Sequence, residues 1–128
     1  MPRILVIEDN DAVRRMVGRV LVDEGYEVQE AADGSAGLNA YREQPSDLVI
    51  TDIVMPDTEG LETIRELRRH DPSARIIAMS SAGGSGPAGY LELALKFGAR
   101  RILTKPFTHD ELRTAVAEVL ARDAGGER

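Results

Sequence analysis

Reactive side chains follow four of the short apolar segments in this sequence. Glu8 and Asp9 come directly after the first segment, Asp52 ends the third, Ser80 ends the fourth, and Lys105 follows the fifth. Each has an ordinary explanation when considered alone, as a helix cap, a turn residue, a partner for a strand-end amide or a solvated charge. If the segments are parallel strands of one sheet, however, these side chains meet at one edge. Carboxylates packed there repel one another unless a cation balances them, so the pattern indicates a cation-binding site.

The elements that would position these side chains are strands alternating with helices. Short runs rich in Ile and Val predict buried strands at 3–8, 26–31, 47–52, 75–80 and 100–104. Apolar residues at helical spacing predict helices between and after them, with one stripe of Val13, Met16, Val17, Val20 and Leu21 and another of Leu112, Ala115, Val116, Val119 and Leu120. We expect helix starts at Asn10 or Asp11, Thr58 and Thr108, with Glu111 completing a capping box, and helix ends at Gly25 and Gly98.

This alternation predicts an α/β fold with a doubly wound, five-stranded parallel sheet and five helices, because strands separated by helices run parallel with right-handed crossovers. Such sheets bind ligands beyond the carboxyl ends of their strands. We expect one domain over residues 1–122 and a flexible tail over 123–128.

Composition narrows the possible functions. The absence of cysteine excludes disulfides, thiolate metal sites and a cysteine nucleophile. The formal net charge is −6 and the basic residues are scattered, which disfavours direct binding of nucleic acid. No apolar run approaches the roughly 20 residues that span a bilayer, and no signal-type segment precedes the first strand, so we expect a soluble, cytoplasmic protein.

Oxygen ligands without nearby His or Cys suit Mg²⁺. With this ion present, the carboxylate of Asp52 can attack phosphorus and form an acyl phosphate. Lys105 can neutralise the added oxygens, and the Ser80 hydroxyl can donate a hydrogen bond to one of them. The residue types therefore indicate phosphoryl transfer.

The acidic pair Glu8-Asp9, the segment DIVMPDTEG from Asp52 to Gly60, Ser80, and LTKPF from Leu103 to Phe107 occur in this order. Together they resemble the receiver domain of two-component response regulators, in particular the stand-alone, chemotaxis-regulator-like type, and the resemblance covers essentially the whole chain. It implies a flavodoxin-like strand order, 2-1-3-4-5.

The resemblance also implies a role for each matching residue. Asp52 is the phosphorylation site. The ligands of Mg²⁺ are Asp9 and Asp52 directly, Glu8 through water, and the backbone carbonyl of Val54. Ser80 is the switch hydroxyl, preferred over Ser81 because it ends the predicted strand. Lys105 is the family lysine, and the Lys105-Pro106 bond is expected to be cis. The phosphoryl donor is a phosphohistidine on a sensor histidine kinase or phosphotransfer protein, or a small acyl phosphate, and the output is binding to a downstream protein.

Three segments depart from the family pattern or add to it. Ile102 stands where many family members carry the Tyr or Phe that couples to the switch hydroxyl, so either the signal travels through the backbone after Ser80 or another element moves. The glycine-rich stretch 82–89 is either an ordinary loop or one that phosphorylation orders. The helix at 90–97 has a broad apolar surface, which packs in the core or, alternatively, docks a partner or forms a homodimer. Val54 and Ala82 stand at positions that in this family influence how fast water attacks the acyl phosphate, and their apolar side chains predict slow autodephosphorylation.

Two other functions on such a fold fit less well. A small aspartyl-phosphate phosphatase would need a second acid two residues after Asp52, where Val54 stands, and a substrate cap. A flavin or nucleotide carrier would need a glycine-rich phosphate cradle after the first strand, where the sequence is acidic. A phospho-independent binding module, or pseudo-receiver, remains the main alternative. We expect no enzymatic activity beyond the domain's own phosphorylation and dephosphorylation.

Overall fold

The computed structural model describes residues 1–53, 60–81 and 90–125. Five strands and five helices alternate along the chain: β1 (Arg3–Ile7), α1 (Asp11–Asp23), β2 (Glu27–Ala31), α2 (Gly34–Glu43), β3 (Leu48–Asp52), α3 (Gly60–His70), β4 (Ile76–Ser81), α4 (Tyr90–Phe97), β5 (Arg101–Lys105) and α5 (His109–Gly125). The strands form one sheet in the order β2-β1-β3-β4-β5, and all four pairings are parallel. The predicted fold class and strand order are therefore confirmed.

The strands are apolar on both faces because helices cover both sides of the sheet. Alternate residues of each central strand belong to different clusters; Ile4 and Val6 pack with α1 and α5, whereas Leu5 and Ile7 pack with α2, α3 and α4. The stripes predicted for the first and last helices lie in the first of these clusters. This double burial fixes the register that brings the strand ends to one edge.

Helix ends agree with the sequence signals wherever the structure describes them. The Asn10 side chain accepts from the backbone N–H of Val13 and caps α1. Thr108 and Glu111 form the predicted capping box at the start of α5, each side chain accepting from the other's backbone N–H. Gly25 and Gly98 follow α1 and α4 with φ of 97° and 127°, which L side chains rarely adopt. Thr58 lies outside the described residues.

The end of β4, the end of α5 and the burial of α4 differ from the sequence prediction. Strand β4 continues to Ser81, so the end of the strand does not by itself distinguish Ser80 from Ser81. Helix α5 continues to Gly125, past the expected start of the tail at residue 123. On α4, Ala94 is buried but Leu95 is 50% exposed, so part of the apolar surface of this helix does not pack in the core.

Candidate phosphoacceptor site

The predicted site residues come together at the carboxyl edge of the sheet. Glu8 and Asp9 directly follow β1, Asp52 is the last residue of the adjacent β3, and Lys105 is the last residue of β5. On β4, Met79 is the register partner of Asp52, and Ser80 follows it. The edge is the one at which ligands bind in sheets of this type.

The three carboxylates form one cluster. Carboxylate oxygens of Glu8, Asp9 and Asp52 lie within 4.8 Å of one another. Glu8 and Asp52 are 1% and 4% exposed, whereas Asp9 faces solvent. The donors are all hard oxygens and one remains open to solvent, so the set fits Mg²⁺, which keeps several waters when it binds proteins. The residues present could therefore hold this ion.

Lys105 balances the two buried carboxylates. Its Nζ lies 2.9 Å from Oε1 of Glu8 and 3.4 Å from Oδ2 of Asp52. Burial alone lowers the pKa of the amine, but its hydrogen bond to Glu8 and the charges of both carboxylates outweigh burial and raise the pKa. The amine is therefore a fixed positive charge beside the candidate nucleophile.

Hydrogen bonds at both its backbone and its side chain hold Glu8 in place. Its Oε2 accepts from the backbone N–H of Asn10 at 3.0 Å, and its own N–H donates to the carbonyl of Ala31 at 3.0 Å. Burial, together with the charge of Asp52, raises the pKa of Glu8 despite the donors that contact it. The carboxylate is thus fixed between Asn10 and Lys105.

Ser80 has a buried hydroxyl that no described residue satisfies. The residue is 4% exposed, and its Oγ has no hydrogen-bond partner in the described part of the chain. Buried hydroxyls normally find a partner, because an unsatisfied one costs free energy. The hydroxyl lies at the edge where sheets of this type bind ligands, and its role as the switch hydroxyl stays a prediction.

The remaining predicted features have separate outcomes. The Lys105-Pro106 peptide bond is cis, as expected. Ile102 is partly buried and packs against the cluster that includes residues of α2, α3 and α4, so an aliphatic side chain occupies the position of the family aromatic. Val54, Ala82 and the glycine-rich stretch 82–89 lie outside the described residues, as does the segment at 54–59.

Arg14 also contacts the acidic pair, although no motif in the sequence marks it. Its Nη1 donates to the backbone carbonyl of Glu8 at 2.9 Å. The only local signal is its position three residues after Asp11, a common spacing for helical ion pairs. Its contact with Glu30 on β2 depends on tertiary structure and has no sequence signal.

The sheet is parallel, has helices on both faces, and carries a carboxylate cluster and a lysine at the carboxyl ends of its strands, where sheets of this type bind ligands. The sequence profile described as the response regulator receiver domain matches residues 4–117, and the chain belongs to this family.

Individual relatives agree with this family. The chain is 34% identical over 119 residues to the chemotaxis protein CheY of Bacillus subtilis, covering 92% of this chain and 97% of that protein. It is 38% identical over 121 residues to the sensor kinase CckA of Brucella abortus, but covers only 12% of that longer protein. Among solved structures, a receiver domain protein from Clostridium thermocellum has a TM-score of 0.88 at 30% identity, covering 97% of this chain and 98% of that one. The chain is therefore a CheY-like response regulator receiver domain.

None of the described helices combines the length and the apolar character that a bilayer crossing requires.

Proposed function

We propose that this receiver accepts a phosphoryl group on Asp52 from the phosphohistidine of a sensor histidine kinase or phosphotransfer protein, and that phosphorylation changes its binding to a downstream protein. The observation that carries the proposal is the contact of Lys105 with both buried carboxylates, 2.9 Å from Glu8 and 3.4 Å from Asp52. A cation fixed beside a carboxylate at a strand end serves phosphoryl transfer, in which catalysis consists mainly of positioning and charge stabilisation.

In the proposed step, an Oδ of Asp52 forms a bond to phosphorus while the bond from phosphorus to the imidazole nitrogen of the donor breaks. The electron pair of the broken bond stays on the imidazole, and no proton has to leave Asp52 because its carboxylate is the nucleophile. Lys105 donates to a phosphoryl oxygen and balances the added charge. The Ser80 hydroxyl, which lacks a described partner, donates to another.

Mg²⁺ is the proposed cofactor. Bound to Asp9 and Asp52, with Glu8 acting through water and the carbonyl of Val54 as a further ligand, it would neutralise the phosphoryl oxygens of donor and product. The oxygen-only composition of the cluster Glu8, Asp9 and Asp52 supports this assignment.

The output is proposed to pass from Ser80 into β4 and the segment that follows it. Ile102 has no aromatic ring, so it cannot move as the Tyr or Phe of many relatives does, and the signal would use the backbone after Ser80 instead. The half-exposed Leu95 on α4 supports a role for this helix in binding a downstream protein or, alternatively, in a homodimer. Apolar residues at 54 and 82 support slow loss of the phosphoryl group.

The proposed partners are proteins rather than nucleic acid or membrane, and the proposed location is the cytoplasm. A sensor kinase partner is supported by the similarity to part of the Brucella sensor kinase CckA, and a diffusible role by the similarity to chemotaxis proteins named CheY. The formal charge of −6 argues against direct DNA binding.

Intact mass after incubation with acetyl phosphate, or with a phosphohistidine donor, tests the proposal. The wild type is expected to gain one phosphoryl group only when Mg²⁺ is present, and Asp52→Asn to gain none. Asp23→Asn, which removes an exposed carboxylate at the end of α1, is the matched control and should be modified like the wild type. If the wild type gains no phosphoryl group from either donor, the proposal is wrong and the chain is a phospho-independent binding module.

A further inference from the structure

Arg14 is partly buried and joins three elements near the acidic pair. Its side chain is 12% exposed, and each of its donor nitrogens serves a different acceptor. Nη1 donates to the backbone carbonyl of Glu8 at 2.9 Å, Nη2 to Oδ1 of Asp11 at 2.6 Å, and Nε to Oε1 of Glu30 at 3.2 Å. One guanidinium therefore ties the end of β1 to the first turn of α1 and to β2.

The carboxylate of Glu30 on β2 lies against a glycine of α1. A Cβ at Gly18 would lie 2.8 Å from Oε2 of Glu30, which is closer than real Cβ atoms approach a neighbour. A glycine in the middle of a helix costs stability relative to alanine. The carboxylate is the far end of a flexible side chain, so an alanine at position 18 would move the carboxylate that contacts Arg14 and leave the backbone in place.

The carbonyl that Arg14 contacts belongs to the peptide unit joining Glu8 to Asp9. Glu8 is fixed at its side chain by Asn10 and Lys105. Asp9, in contrast, is exposed, so the direction of its carboxylate depends on the orientation of the backbone before it. Fixing the carbonyl of Glu8 fixes that orientation.

We infer that Arg14, oriented by Glu30 across Gly18, is a positioning residue that sets the geometry of the Glu8-Asp9 pair for Mg²⁺. The inference rests on the proposed function, because it concerns the ion that the cluster would hold. Residues that orient metal ligands without touching the ion commonly change metal affinity by about 10- to 100-fold. Because Arg14 acts through a backbone carbonyl, an effect of about 10-fold is expected.

Charge and geometry must be separated in the test. Removing the guanidinium charge would strengthen the negative field around the cluster and favour cation binding, which opposes the loss of positioning. Arg14→Lys keeps the charge, but an ammonium on a flexible stem cannot reproduce the planar fork that reaches three acceptors. Gly18→Ala is a second, charge-neutral variant, which displaces the Glu30 carboxylate while favouring the helix.

Arg3 provides the matched control at the opposite end of the strands. Its side chain is 17% exposed, and it joins β1 to β2 through Glu27 at 2.6 Å and Gln29 at 2.9 Å. Arg3→Lys makes the same chemical change in a similar setting that is remote from the acidic cluster. Any general effect of loosening β1 from β2 appears in both variants.

The experiment is calorimetric titration of Mg²⁺ into wild type, Arg14→Lys, Gly18→Ala and Arg3→Lys, with urea unfolding of each protein in the absence of the ion. We expect Arg14→Lys to weaken Mg²⁺ binding about 10-fold, Gly18→Ala to weaken it in the same direction, and Arg3→Lys to leave it within about 2-fold. If Arg14→Lys lowers only the stability of the metal-free protein and binds Mg²⁺ like the wild type, the inference is wrong. If it does not fold, the same criterion applies to Gly18→Ala.

Failure of the proposed function gives a different result. In that case the wild type itself binds no Mg²⁺, and both proposals fall together. Binding by the wild type that Asp52→Asn weakens, combined with unchanged binding in Arg14→Lys and Gly18→Ala, removes the inference and leaves the function standing.

Discussion

Replacing Ser80 with alanine should stabilise the unphosphorylated protein. The Oγ of Ser80 is buried, and no described residue bonds to it. An unsatisfied buried polar group costs about 1–3 kcal/mol, whereas the loss of one oxygen leaves little empty space. We therefore expect Ser80→Ala to raise the free energy of unfolding by about 1 kcal/mol, which for a domain of this size corresponds to about 4 °C in Tm.

The same substitution should have the opposite effect after phosphorylation. In the proposed phosphorylated state the hydroxyl donates to a charged phosphoryl oxygen, a bond of about 1.5–3 kcal/mol. The stability gained on phosphorylation should therefore be smaller in Ser80→Ala than in the wild type by about 3 kcal/mol, because the variant both escapes the initial cost and lacks the later bond. Urea unfolding followed by circular dichroism, with Mg²⁺ present and with or without acetyl phosphate, measures both differences.

Ser46 offers a matched control. Its Oγ is also buried without a described partner, but it lies before β3, at the opposite edge of the sheet from Asp52. Ser46→Ala should stabilise the protein to a similar extent and leave the response to phosphorylation unchanged. A loss of 1 kcal/mol or more in unphosphorylated Ser80→Ala would refute the reasoning, since it would mean that the hydroxyl has a stabilising partner. An identical gain on phosphorylation in the wild type and Ser80→Ala would refute its proposed contact with the phosphoryl group.

Two further predictions concern the opposite edge of the sheet and the packing of α2. Tyr41→Phe should cost about 1 kcal/mol in urea unfolding at neutral pH, because the buried Tyr41 hydroxyl donates to Oδ2 of Asp71 at 2.7 Å. This bond and those from Ser73 lower the pKa of Asp71 in the folded protein. The contribution of the bond to stability is therefore fully present above the unfolded pKa of about 4 and is lost as pH falls through the folded pKa. A cost of Tyr41→Phe that stays constant down to the acid transition would contradict this. Gly37→Ala should destabilise the protein by about 1–3 kcal/mol, because the new Cβ would lie 2.3 Å from Cδ1 of Ile7. Ile7 is fully buried and has no room to move. Thermal unfolding measures the change, and an unaltered Tm would show that α2 shifts freely.

The sequence was sufficient to predict the strands and the reactive edge for a physical reason. Strands buried on both faces must be apolar throughout, so a charged residue such as Asp52 stands out where a strand ends. Because the strands are parallel, all such ends lie at one edge, and Glu8 and Lys105 had to be there as well. The cluster of Glu8, Asp9 and Asp52 follows from this topology.

Contacts between distant side chains could not be predicted in the same way. The bond from Tyr41 to Asp71 joins residues 30 positions apart, and neither its partner nor its depth has a local signal. The ion pair of Arg14 with Glu30 joins α1 to β2 beside Gly18, and no local pattern predicts it. The choice between Ser80 and Ser81 failed on its stated reason, because strand boundaries are less well determined by sequence than burial is.

The order in which the site residues occur along the chain has a consequence for synthesis. Lys105 lies 97 positions after Glu8, on the last strand of the sheet, whereas all three carboxylates belong to the first half of the chain. At ordinary rates of translation, the ribosome adds the lysine about 3 to 10 s after Asp52. During that interval the nascent chain carries the three carboxylates of the site but not the amine that contacts two of them in the folded protein. The last strand to be made therefore completes the charge balance as well as the sheet.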